Sequence, residues 1–312
     1  MPFQKKPQVF SAAIHELTLG TGDTAVKIGG QNVYNLYAFD ASLKNPPRIG
    51  IDVSDAPEQP CKGLEAFYAG ASTLAEKAKR AAALEHVDFV CIRFDEADPN
   101  GANKSVADCV ADAKAVAEAI DKPIVVAGCK NADKDAELFN QIAEALPGRN
   151  ILVLSAKEEN YKAVSAGAGL AYGQKIGAES AVDINLAKQL NVLITQMGVQ
   201  GANVAMNVGS AAAGYGFEYV ASTLERVKAA ALTQNDATLQ MPIITPVGTE
   251  AWGVKEATAP EAEIPEWGDQ EERGIDMEVE TAAACLCYGS DAVILKHPES
   301  IKTISQLIAA LM

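Results

Sequence analysis

Clustered basic residues are missing from this sequence. Its 312 residues hold 41 acidic against 26 basic side chains, a formal net charge of −15, and no run of Lys and Arg gathers into the patch that a nucleic-acid groove requires. The same acidity argues against an anionic membrane surface and suits solubility and a basic protein partner. No apolar run reaches the roughly 18 residues of a membrane span, and no apolar signal region comes after the two lysines of the opening MPFQKK. The expected location is the cytoplasm. Histidine is scarce, at positions 15, 86 and 297, with no pair at metal-ligand spacing. Six cysteines (61, 91, 109, 129, 285, 287) are scattered through apolar patterns with no Cys-x-x-Cys pair. They read as buried thiols of a reducing compartment rather than as ligands of an iron–sulfur cluster or a structural zinc. No Gly-x-Ser-x-Gly elbow and no Walker loop occur, and no Gly-rich turn comes after the first strand beyond residue 47.

What is present is small aliphatic residues in quantity. Hydrophobic residues make up 48% of the chain but aromatics only 6%, a composition suited to barrel strands and closely packed helices. Residues 1–47 stand apart. HELTLGTGDTAVKIGG alternates apolar and polar residues around Gly20-Thr21-Gly22-Asp23, which predicts an antiparallel hairpin covering the bottom of a larger domain. From residue 48 to 312, short β-branched runs alternate with helical stretches. Strands are expected at 48–53, 89–94, 123–129, 150–155, 175–179, 203–208, 241–247 and 292–297, continuously apolar as strands buried on both faces must be. Between them Val106, Cys109, Val110, Ala113, Val116 and Ile120 form one helical stripe with Ser105 as its cap, and Ile184, Ala187, Leu190 and Ile194 another behind Asp183. Eight strands, each followed by a helix, predict a single α/β domain: a closed (β/α)8 TIM barrel with an N-terminal β-hairpin extension.

In such a barrel, chemistry sits at the C-terminal ends of the strands. Those ends carry Asp52 and Asp55, Asp95 and Asp98, Cys129, Ser155, Glu179, Asn207 and Ser210, Thr249 and Glu250, and His297. Polar residues at these places also cap the next helix, which is the plainer reading of any one of them. Asp52 and Asp95 could form a carboxylate pair, with His297 as acid or base. His297 also precedes Pro298, a helix-start signal. The sixth loop, GSAAAGYGFEY (209–219), is built of small residues that let a flat ligand or another backbone approach closely, or that simply make a tight crossing. The seventh, 248–272, is the longest and holds both tryptophans, Trp252 and Trp267. It reads as a lid or partner-binding segment, or as a loop pinned by its tryptophans to its own barrel.

The segments DEADPNGANKSVADCV (95–110), VAGCKNADKD (126–135), KEENYKAV (157–164), AVDINLAKQLN (181–191), GYGFEY (214–219), TEAWGVKEA (249–257) and EWGDQEERGI (266–275) resemble, in order and spacing, the small (delta) subunit of the corrinoid iron–sulfur protein of the acetyl-CoA (Wood–Ljungdahl) pathway. The resemblance implies a heterodimer. The small subunit would be a barrel related to pterin-binding barrels. The large subunit would carry the iron–sulfur (4Fe–4S) cluster and a corrinoid lying between the two chains. Cobalt would take a methyl group from methyltetrahydrofolate through a methyltetrahydrofolate:corrinoid methyltransferase and pass it to acetyl-CoA synthase. This chain would then be a carrier subunit without catalytic residues or metal ligands of its own, its barrel top a cover over the corrinoid. From barrel geometry Asn207, Gly209, Gly214, Tyr215, Gly216, Thr249, Glu250 and Trp252 are the expected cofactor contacts. Pterin barrels tend to place an Asp after the sixth strand. Here Asn207 stands there, and its amide cannot accept two hydrogen bonds from a pterin's donor edge as a carboxylate would. A pterin-binding barrel methyltransferase acting alone and a purely structural docking subunit are the two competing expectations.

Overall fold

A computed structural model describes residues 8–36, 42–57 and 61–312. Residues 1–7 and 37–41 of the expected bottom cover, and 58–60 after the first barrel strand, lie outside the described residues. The hairpin forms where its alternation places it, β1 (Glu16–Leu19) pairing antiparallel with β2 (Val26–Gly29). Eight parallel strands come next: β3 (Arg48–Ser54), β4 (Phe89–Arg93), β5 (Ile124–Ala127), β6 (Leu152–Ala156), β7 (Lys175–Glu179), β8 (Val204–Asn207), β9 (Ile244–Pro246) and β10 (Ala292–Leu295). Neighbours pair in sequence order from β3 to β8, and β10 joins β9 to β3. The ring closes at its weakest seam, where a single bridge between Met206 and Ile243 and the bond from Met206 N–H to the Pro242 carbonyl (2.8 Å) link β8 to β9.

The helices obey their caps. After β3 come α1 (Lys62–Phe67) and α2 (Leu74–Ala82), the latter opened by a reciprocal Thr73–Glu76 capping box. Then α3 (Val106–Ala119) starts at Ser105 and α4 (Ala132–Ala145) at Asn131, each cap accepting the backbone N–H three residues on. The next is short, α5 (Tyr161–Val164), and runs into a wide turn over Ser165–Ala171 whose Gly167 leaves room for Asn140. Next, α6 (Ile184–Gln196) is capped by Asp183, and α7 (Phe217–Thr233) begins at left-handed Gly216. Two short helices, α8 (Val247–Ala251) and α9 (Lys255–Thr258), fill the segment expected to be an open loop. Finally α10 (Gln270–Tyr288) starts at Asp269, and α11 (Pro298–Leu311) at His297. No helix among the described residues is long and apolar enough to cross a membrane.

Two hydrophobic layers result. The outer lies between the strands and the helix ring. The inner fills the barrel, and there Leu17, Leu19, Val26 and Ile28 of the hairpin meet Phe89, Cys91, Val125, Leu152, Ile244 and Ile294 of the strands. Leu17, Leu19 and Ile28 are fully buried, each worth roughly 1.5–3 kcal/mol of transfer free energy. Asn150 ties the hairpin to the barrel floor, its amide donating to the Thr18 and Gly20 carbonyls at 2.8 and 2.9 Å. The hairpin therefore packs into the N-terminal end of the barrel. A buried polar knot sits beside it. Asp291 accepts from Lys228 Nζ (2.6 Å), from the Ile243 N–H (2.7 Å) and from the Gln31 amide, joining α7, the residues just before β9 and β10, and the segment after the hairpin.

Candidate functional site

With the floor closed, the free opening is at the strands' C-terminal ends. There the strand tips and the βα loops enclose a cavity of about 300 Å³. Arg93 comes from the tip of β4, Leu154 and Ser155 from β6, Glu179 from β7, Asn207 from β8 and Pro246 from β9, with Lys157 and Gly209 from the loops beyond and Thr249 and Glu250 from α8. Alternation along each strand aims Arg93, Leu154, Glu179, Asn207 and Pro246 inward.

The polar groups of this cavity are mostly engaged with one another. The Asn207 amide donates to Ser155 Oγ at 3.0 Å and to Glu179 Oε2 at 3.5 Å, and its carbonyl accepts the Gly209 N–H at 3.1 Å. Glu179 also faces Lys157 Nζ at 3.5 Å. Asn207 is thus a brace between β6, β7 and the sixth loop, with both ends of its side chain in use. Arg93 stands between two carboxylates, at 2.9 Å from Asp52 and 2.7 Å from Asp95. Burial opposes its charge, but those two neighbours outweigh burial and hold its pKa above the ordinary value. Asp52 and Asp95, read from the sequence as a carboxylate pair with His297 as acid or base, are here both partners of the Arg93 guanidinium. Asp135, from the first turn of α4, accepts the Cys129 N–H at 2.7 Å and lies against Gly128, where any Cβ would come within 2.1 Å of its Oδ1. Burial raises its pKa, against the pull of the Cys129 contacts and Lys157. Burial likewise pushes the Cys129 thiol up to about 11.

Of the eight contact residues expected from the sequence, Asn207, Gly209, Thr249 and Glu250 line this cavity. Gly214, Tyr215 and Gly216 lie beyond it on the sixth loop. Tyr215 is 49% exposed and donates its hydroxyl to Glu256 at 2.6 Å. Gly209, Gly214 and Gly216 all have φ between 83° and 93°, so the glycines are what this crossing demands of its backbone. Trp252 is a correction. It is 1% exposed, its six-membered ring lies against Gly274, and it stacks on the His297 ring (5.8 Å, 21° between planes). α8 turns it into the protein, so it meets no outside ligand in this structure. Trp267 is the exposed one, at 40%, with Lys255 and Arg273 each 5.8 Å from its ring. The thiols need a smaller correction, since Cys287 is exposed while the other five are buried.

Sequence reasoning missed Arg93, Asp135 and Lys157. Arg93 had a signal, a lone cation closing the apolar strand FVCIR. Asp135 had none, because its helical position reads as an ordinary first-turn acid.

A closed ring of eight parallel strands with its polar cavity at the C-terminal mouth places the protein in the (β/α)8 barrel class. Solved structures of that class with the same architecture include dihydropteroate synthase of Xanthomonas albilineans with 4-aminobenzoic acid (TM-score 0.57, 11% identity, 95% of this chain and 98% of that one). Another is dihydropteroate synthase of Yersinia pestis with a pterine–sulfa conjugate (TM-score 0.53, 11% identity, 85% and 93%). At such identity the likeness is one of fold. Residues 16–308 match the family of the CO dehydrogenase/acetyl-CoA synthase delta subunit, and the chain belongs to that family. Its relatives include the acetyl-CoA decarbonylase/synthase complex subunit delta of Archaeoglobus fulgidus, 28% identical over 99% of this chain and 71% of that one. Subunit delta 2 of Methanosarcina acetivorans is 29% identical over 94% and 67%.

Proposed function

We propose that this chain is the non-cluster subunit of a methyl-carrying corrinoid protein within an acetyl-CoA-forming complex, and that its barrel mouth covers a corrinoid held by a larger partner. The carrying observation is the pairing of delta-subunit family membership with a barrel whose free opening leads only into a small cavity. Pockets that engulf a drug-sized ligand run to roughly 300–1,000 Å³. A corrin ring with its side chains is larger than such ligands, so it does not fit inside about 300 Å³. It fits across the mouth, against Thr249, Glu250 and the rim of the sixth loop, which is the covering arrangement.

When bound, the corrinoid supplies the cobalt that carries the methyl group. The residues of this chain do the rest. Small residues at 209–216 let a flat surface come close, and Tyr215 and Glu250 offer polar contacts at the rim. The lined mouth keeps water from the covered face. In this reading the partners are the corrinoid iron–sulfur large subunit with its 4Fe–4S cluster, the methyltetrahydrofolate:corrinoid methyltransferase and acetyl-CoA synthase.

Co-purification from the native source tests the reading. The expected result is a larger companion chain bearing cobalt and iron. A solitary chain without a cobalt-bearing companion overturns it. Tyr215→Ala together with Glu250→Ala should alter the cobalt absorption spectrum or slow methylation of the complex. Unchanged spectra and rates would leave the subunit a docking scaffold.

A second reading, a barrel that binds a pterin itself, is favoured only by the cavity's size and polar lining. Because Asn207 is braced at both ends, the expected outcome of calorimetry with methyltetrahydrofolate and the isolated chain is no binding.

A further inference from the structure

Away from the cavity, three residues from three separate segments meet at the barrel top. They are Cys61, the cap of α1 after β3; Glu271, in the first turn of α10; and His297, just beyond β10. Cys61 Sγ, a Glu271 carboxylate oxygen and a His297 ring nitrogen all lie within 4.8 Å of one another.

The imidazole is the telling member. His297 is 3% exposed, and its Nε2 is buried without a hydrogen bond. Glu271 Oε1 stands 3.3 Å from that nitrogen. Two ligands each about 2.0–2.1 Å from one tetrahedral ion would be separated by roughly 3.3–3.4 Å. The surroundings fix two of the three donors. Trp252 stacks on the imidazole, and Glu278 accepts the His297 backbone N–H at 3.1 Å. Nδ1 accepts the Glu299 N–H at 3.2 Å, so Nε2 is turned toward the cluster. The Gly63 N–H donates to Glu271 Oε2 at 2.9 Å, leaving Oε1 to face the histidine. The Gly63 bond holds the carboxylate as outer bonds hold the ligands of real metal sites, whereas the Glu299 bond fixes the ring only in the metal-free state. Gly63 adds an independent sign. Its φ is ordinary, yet a Cβ there would lie 2.0 Å from Glu271 Oε1 and 2.9 Å from His297 Nε2. A helical glycine costs about 1 kcal/mol relative to alanine, and here it keeps the space beside two donor atoms clear.

We infer that Cys61, Glu271 and His297 form a site for a borderline-soft divalent ion, zinc by the character of its donors, with a fourth position open. Thiolate, imidazole and carboxylate together select such an ion over calcium or magnesium. Three protein ligands leave one position for water or an exogenous donor, as in reactive rather than purely structural zinc sites. Glu271 is the entry side, its side chain being 26% exposed. Capture of the ion releases the Cys61 thiol proton to solvent, and the imidazole proton moves from Nε2 to Nδ1, giving up the long bond from Glu299.

The test uses the full chain, stripped with a chelator and titrated with Co²⁺ as an optical stand-in for zinc. One Co²⁺ should bind per chain, with a sulfur-to-cobalt charge-transfer band that Zn²⁺ abolishes. Cys61→Ser should lose that band while Cys287→Ser keeps it. Glu271→Gln should weaken binding at least tenfold with the far-ultraviolet circular dichroism unchanged. A wild-type chain that takes up no Co²⁺, or a band that survives Cys61→Ser, overturns the inference.

Discussion

Single side chains in this barrel are placed by what they would suffer elsewhere. Lys228 is 1% exposed and meets Asp291 at 2.6 Å, with Asp291 itself 3% exposed. Burial presses the Lys228 pKa down, and Asp291 opposes that pressure. Removing one member of such a pair strands the other, at roughly 3–5 kcal/mol. Lys228→Ala should therefore lower the urea midpoint far more than a surface substitution such as Lys114→Ala, measured on both variants under identical conditions. Asp135 offers a titration instead. Its folded pKa lies above the unfolded value, so the native state holds its proton more tightly than the unfolded chain does. Its contribution is most favourable below the unfolded pKa of about 3.9 and declines as pH rises through the folded one. Asp135→Asn keeps an acceptor for the Cys129 N–H and should flatten that decline in unfolding curves recorded across the acid range. An unchanged pH slope would show that Asp135 titrates normally.

Among elements, the hairpin is the one whose loss should be felt farthest away. Leu17 is fully buried within the inner core, and Leu17→Ala should cost roughly 2–5 kcal/mol. Hydrogen exchange should then show β1, β2 and the N-terminal ends of the barrel strands opening together, because they share one hydrophobic layer. The eight strands and the hairpin were legible in the sequence because apolar runs and alternation are local signals, and Ser105, Asp183 and His297 were legible as caps for the same reason. The region from 247 to 267 was not. Its Pro, Gly and acidic content resembles an open loop, while α8, α9 and the burial of Trp252 depend on Gly274 and His297, far along the chain. The site was half legible for a related reason. Strand tips give away Asn207 and Glu179, but Asp135 arrives from a helix. The trio of Cys61, Glu271 and His297 spans 236 positions from first to last, so no spacing rule could assemble it.

Across the whole molecule, acidic side chains outnumber basic ones, 41 to 26. The chain carries a net −15, while the cavity lining itself is balanced, with Arg93, Lys130 and Lys157 against Asp135, Glu179 and Glu250. Of these cations, Lys157 with Glu179 and Lys130 with Glu250 at 3.8 Å already face carboxylates. A companion docking over this end is expected to present basic side chains. Association should then slow as salt is raised, through screening of long-range attraction. Stopped-flow mixing with the purified companion at low and high ionic strength would check it, and an association rate indifferent to salt would contradict it.

Because β1 and β2 seal the floor, the barrel is a flask rather than a pipe. Whatever small solute occupies its interior must come and go by the neck at the strands' C-terminal ends. On the covering arrangement proposed above, a solute would have to enter before a companion settles over the neck, and the companion would have to leave before the solute could.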